Sequence, residues 1–88
     1  MIWISCIFAF SGYTTDCRIG DGYGSSEKWV GHYTKENCIT AVREKYPTAN
    51  GATMHANCPS TCGCWAEFGM KSWGGSSYQS CMFIEGQC

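Results

Sequence analysis

Net charge of either sign is nearly absent. Six Lys and Arg stand against seven Asp and Glu, leaving a formal net charge of -1 over 88 residues with no run of one sign. Such a chain has no electrostatic footprint for nucleic acid or for an anionic membrane. No apolar stretch reaches the roughly 20 residues of a membrane-spanning helix. Internal repeats, low-complexity tracts and linker-like composition are missing as well, which leaves a single domain over residues 1–88. N-glycosylation is not expected either, since Asn37, Asn50 and Asn57 are followed by Cys-Ile, Gly-Ala and Cys-Pro and form no Asn-x-Ser/Thr sequon.

Catalytic signatures are missing too. There is no Gly-x-Ser-x-Gly turn and no nucleophile placed with a His and an orienting acid. The run G-D-G-Y-G at 20–24 has the glycine density of a phosphate loop but lacks the preceding strand, the following helix and the Lys-Ser/Thr end. Glu67 and Glu85 could face one another across strands, yet two carboxylates on a small sheet read as solvated groups rather than a glycosidase pair. Asp16 and Asp21 offer oxygens to calcium without a recognisable ligand loop. His55, Cys58, Cys62 and Cys64 are soft ligands close in sequence, but their spacing is not that of two separated zinc-ligand pairs, and disulfides are the better reading. His32 and His55 read as ordinary loop or strand residues. The expectation is a non-enzymatic protein with no cofactor and no metal.

Cysteine is abundant. Cys6, Cys17, Cys38, Cys58, Cys62, Cys64, Cys81 and Cys88 make an even set of eight, about a tenth of the chain. That density marks a secreted disulfide scaffold and an extracellular location. A chain this short buries only about 60–65% of the surface its unfolded form exposes, so staples are needed. Spacing alone does not choose among the possible connectivities.

Three cysteines fall between Cys58 and Phe68, and from Gly63 to Met70 the small or apolar Cys64, Ala66 and Phe68 alternate with Trp65, Glu67 and Gly69. This pattern predicts a central strand with one face on the core. Met1 to Phe10 is apolar, and Ala9-Phe10-Ser11 resembles a signal-peptide cleavage site. It lacks a basic n-region, however, and its β-branched and aromatic residues predict an N-terminal strand over 1–11; a leader would then have to be supplied elsewhere. From Gly12 to Gly31, Gly, Ser, Thr and Asp predict a short strand around Cys17 followed by a turn-filled loop. Thr34 is a candidate N-cap, Glu36 suits the first turn, and Pro47 ends a helix whose Cys38, Ile39, Val42 and Tyr46 share one stripe. Asn50-Gly51 marks a turn. Ala52, Met54 and Ala56 then alternate with Thr53, His55 and Asn57 as a half-buried strand, Ser72 to Ser77 reads as a loop, and Tyr78 to Ile84 as a last strand. The fold class is therefore α+β, a small disulfide-rich domain with one α-helix packed on an antiparallel β-sheet.

The run G-H-Y-T-K-E-N-C-I-T-A-V, then C-G-C-W-A-E-F and a closing Y-Q-S-C-M-F, resembles the PAN/apple family of extracellular modules over residues 17–83. The resemblance implies a helix tied by disulfides across a small antiparallel sheet, and binding of proteins or carbohydrates in adhesion and matrix proteins. It implies pairing of Cys38 with Cys64 or Cys58, and of Cys17 with Cys81. Cys6, Cys88 and the Cys58, Cys62, Cys64 group depart from the family's pattern.

Four Trp, five Tyr and four Phe are more aromatic side chains than so small a core can hide. Trp29, Tyr33, Trp73 and Tyr78, read as lying in or beside loops, are the candidate contacts for an extracellular protein or glycan partner. The expected function is binding or structural, including self-association through residues 1–10 by strand addition into a filament or matrix, locked by Cys6 or Cys88. The alternative is a small secreted effector, a toxin or protease inhibitor, presenting a rigid loop from Lys71 to Tyr78.

Overall fold

A computed structural model of the chain describes residues 14–84. The order is β1 (Thr14–Tyr23), β2 (Ser26–Tyr33), α1 (Lys35–Lys45), β3 (Gly51–His55), β4 (Cys62–Phe68) and β5 (Ser72–Ile84). The strands form one antiparallel sheet in the order β1-β5-β3-β4-β2. The described residues thus form a small disulfide-rich fold with one helix and a five-stranded antiparallel sheet. The N-terminal strand expected over 1–11, with Cys6 and Cys88, lies outside the described residues.

The helix starts where its cap predicts. Thr34 Oγ1 accepts from the Asn37 amide at 3.2 Å, Glu36 occupies the first turn, and Arg43 and Lys45 the last. Tyr46 ends it one residue before Pro47, whose ring disfavours helical geometry in the residue before it. Cys38 and Val42, one turn apart, are fully buried and join Val30, Ala52, Met54, Cys64, Ala66 and Phe83 in a single core. Tyr46 packs edge-on against Phe68. The Cys38–Cys64 disulfide bonds the helix to β4, one of the two pairings that the resemblance leaves open for Cys38, and Cys17–Cys81 joins β1 to β5. The third, Cys58–Cys62, closes the short connection before β4.

Four expectations are corrected. The residues after Cys17 do not form a loop: they continue β1 and build β2, with only Gly24 and Ser25 between the two strands. The middle of the sheet is β3, not Gly63–Met70; β4 lies beside it. Thr53 of β3 is as buried as Ala52 and Met54, its hydroxyl held between Glu67 of β4 and Ser80 of β5. Finally, Ser72–Ser77 belongs to β5. β1 pairs with β5 on both sides of an irregularity in which Ile19 faces Gln79 and Asp21 faces Gly74, so residues 75–78 bulge opposite Gly20.

The two-residue link between β1 and β2 dictates the shape. Among the described residues these are the two edge strands, about 19 Å apart across a flat five-stranded sheet. Three Cα steps from Tyr23 to Ser26 reach at most about 11 Å, so the sheet must curl until its edges converge at that end. The Ser25 amide donates to Phe68 O at 2.9 Å and the Lys71 amide to Tyr23 O at 2.8 Å, tying the convergence to the β4–β5 turn, where Gly69 takes a φ of 65°.

Gly20 carries the close approach on β1. Its φ is 139°, and a Cβ there would strike the Gly74 carbonyl oxygen, a backbone atom that cannot move aside. Gly20→Ala is therefore expected to destabilise the fold by about 2 kcal/mol or more, lowering Tm by roughly 10 °C. A thermal melt unchanged within 2–3 °C (about half a kcal/mol) would contradict this close packing.

Candidate functional site

Period-two alternation splits the sheet into two faces. Ala52, Met54, Cys64, Ala66 and Phe83 point to the core shared with α1. The opposite face carries Thr53 and His55 of β3, Trp65 and Glu67 of β4, and Tyr78 and Ser80 of β5, placed side by side by the pairs Thr53↔Trp65, Thr53↔Ser80 and His55↔Tyr78. β2 adds Glu27 opposite Glu67 and Trp29 opposite Trp65.

Aromatic rings run across this second face. Trp29 contacts His32 and Trp65, each with centroids 5.1 Å apart; Trp65 meets Tyr78 at 5.8 Å, and Tyr78 meets His55 at 5.5 Å, all edge-on. Cross-strand aromatic pairs stabilise a sheet face and leave ring surface for a partner. Trp29 keeps 48% of its surface exposed. Beside the row opens a cavity of about 170 Å³ lined by Asp21, Glu27, Thr53, Trp65 and Tyr78.

Strand pairing sets Glu27 of β2 beside Glu67, curling of the sheet brings Asp21 of β1 to them, and the three offer carboxylate oxygens within 4.8 Å of one another. None of the three has an ion pair with a described residue; the Arg18–Asp16 pair lies apart on β1. Glu67 is only 1% exposed, which corrects its reading as a solvated carboxylate; Glu85 lies outside the described residues. Burial pushes the Glu67 carboxyl up to about 8, with Glu27 and Asp21 adding to the shift and the neighbouring Thr53 hydroxyl opposing it. Thr53 Oγ1 lies 2.6 Å from Glu67 Oε2 and 2.7 Å from Ser80 Oγ, and Ser80 Oγ donates to Gly20 O at 2.8 Å. Three carboxyl oxygens fall short of the six to eight ligands that calcium takes, and one of the groups is engaged by Thr53.

Of the four aromatics expected in or beside loops, three lie inside strands. Trp29 lies within β2, while Trp73 and Tyr78 lie within β5. Tyr33, the last residue of β2, packs against the core. Trp73 donates its indole N–H to Ser80 O at 2.7 Å and lies under the Arg18 guanidinium. Trp29 and Tyr78 come together through Trp65, which is not one of the four expected contacts although its alternation against Cys64 and Ala66 assigns it to the other face. Cys58, Cys62 and Cys64 are all in disulfides and His55 packs on Tyr78, so these four do not form a metal-ligand group.

No known protein family, curated protein or solved structure matches the chain. No helix among the described residues is long and apolar enough to cross a membrane. Three disulfides among the described residues fit an extracellular protein.

Proposed function

We propose that this is a non-enzymatic, secreted α+β binding module, PAN/apple-like in architecture, which contacts glycans with the sheet face opposite its helix. The aromatic row Trp29, Trp65, Tyr78 and His55, ending at the cavity edged by Asp21 and Glu27, carries this reading. Ring faces stack on the apolar faces of sugars, and carboxylate oxygens accept from sugar hydroxyls. The helix, bonded through Cys38–Cys64, backs the sheet and holds the rings in register. The effector alternative loses its main support, because the Lys71–Tyr78 loop on which it relied is largely strand. Self-association through residues 1–10 rests on a segment outside the described residues.

The test is retention of the oxidised protein on immobilised cellulose, chitin, mannan and xylan. Retention on at least one is expected, and Trp65→Ala is expected to weaken it about tenfold, as loss of a central aromatic contact does. Ile19→Ala, at a site 63% exposed on the other face, should leave retention unchanged. Failure of all four polysaccharides to retain the wild type, or equal loss in both variants, would refute glycan contact by this face.

A further inference from the structure

Thr53, in the lining of the cavity, belongs to a line of hydroxyl and carboxyl groups that runs beneath it. Glu67, Thr53, Ser80 and the Gly20 carbonyl form a line of three short contacts, 2.6, 2.7 and 2.8 Å. A carbonyl has no hydrogen, so Ser80 must donate to Gly20 O. A hydroxyl has one hydrogen, so the Thr53–Ser80 contact is a hydrogen bond only if Thr53 donates it. Thr53 then has none left for Glu67, and the shortest contact needs a hydrogen from Glu67 itself. With Glu67 ionised, Thr53 must donate back to it, and either Thr53–Ser80 or Ser80–Gly20 is left as two facing oxygens. A buried contact of that kind is unfavourable.

We propose that Glu67 is the proton-holding end of this relay and that its ionisation unlocks the floor of the cavity, so that ligand binding there requires the protonated acid. The proposal rests on the cavity being the binding site. The relay links four strands, from Glu67 on β4 through Thr53 on β3 and Ser80 on β5 to Gly20 on β1. Gly20 adjoins Asp21, which lines the cavity, so releasing the Gly20 carbonyl loosens one wall while Thr53 turns on the floor.

The surroundings favour the neutral acid. β2 presents Glu27 to Glu67, and β1 presents Asp21. From β3 and β5 come the hydroxyls of Thr53 and Ser80, with Tyr78 lining the cavity and His55 behind it. Arg18, paired to Ser80 in register, is held by Asp16 and by the Trp73 ring. Burial and the neighbouring Glu27, itself a hydrogen-bond partner of Glu67, raise the Glu67 carboxyl independently of the relay, and the Thr53 contact acts against them.

The decisive measurement needs no ligand. Carbon-13 NMR of the Glu67 side-chain carboxyl in the intact oxidised protein should report a neutral acid at pH 6 and a midpoint near 8, accompanied by a change in Trp65 fluorescence. Glu67→Gln supplies an amide hydrogen to Thr53 and should keep the fold while abolishing the fluorescence transition. Thr53→Val removes the relay's middle member and should abolish the coupling between carboxyl titration and the Ser80 and Gly20 resonances. On whichever of the four polysaccharides retains the wild type, retention should fall about tenfold per pH unit above the midpoint and be independent of pH in Glu67→Gln. A Glu67 carboxyl titrating in the ordinary range, or an identical fluorescence transition in Glu67→Gln, overturns the proposal. If Glu67→Gln fails to fold, the wild-type carboxyl titration alone decides. Loss of all retention with a high Glu67 midpoint instead removes the glycan reading and leaves the relay standing.

Discussion

Replacing Cys38 and Cys64 together by Ala is expected to lower the free energy of unfolding by about 3.5 kcal/mol and Tm by roughly 15–25 °C. The two cysteines are 26 residues apart in sequence, and both are essentially fully buried between the helix and the sheet. Opening the bridge restores loop entropy to the unfolded chain and removes two buried sulfurs that touch the core. The comparison that checks the cause is Cys58→Ala with Cys62→Ala. That bridge spans a sequence separation of 4 beside an exposed segment, and the same loop-closure relation gives only about 2 kcal/mol. Denaturant unfolding of the two double variants should rank them in this order. Equal losses would mean that the helix is held by side-chain packing and not by its staple.

The second large effect is a dependence of stability on pH that comes from one carboxyl. Glu67 holds its proton to about pH 8 in the folded protein, against an ordinary value of 4.5. The native state therefore binds more protons than the unfolded chain between those values. Its stabilising contribution is present in full below about pH 4.5, declines as pH rises, and is gone above about pH 8. The slope approaches at most about 1.4 kcal/mol per pH unit, and sharing of charge with Glu27 and Asp21 spreads it. The measurement is the difference in unfolding free energy between wild type and Glu67→Gln across this window, in which titrating groups not coupled to Glu67 cancel. The wild type should lose several kcal/mol relative to the variant as pH is raised. Parallel curves would show that Glu67 ionises freely in the folded protein.

The cysteines behind the first effect are conspicuous in the sequence although their pairing is not, and the burial of Glu67 behind the second is not legible there at all. The helix was readable because its signals are local: Thr34, Glu36 and Pro47 fix its ends, and Cys38, Val42 and Tyr46 mark its buried stripe within a few residues of one another. The two faces of β4 were readable for the same reason, since Cys64 and Ala66 alternate with Trp65 and Glu67. β1, β2 and the first half of β5 were not. Their Gly, Ser and Thr look like turns when read alone, and they become strands because neighbours distant in sequence supply their hydrogen bonds, as Asp21↔Gly74 and Glu27↔Glu67 illustrate. The same strand pairing moved Trp73 out of a loop and put Tyr33 against the core.

The sequence by itself determined the disulfide-rich class, the helix with its caps, and the alternation that sends Trp65 and Glu67 away from the core, because each follows from composition or from contacts between near neighbours. Tertiary structure alone decided that β3 is central, that the sheet curls, and that Asp21, Glu27 and Glu67 meet beside a row of rings. The physical reason is geometric: two residues join the opposite edges of a five-stranded sheet, and this closure buries a carboxyl that no local pattern distinguishes from a solvated one.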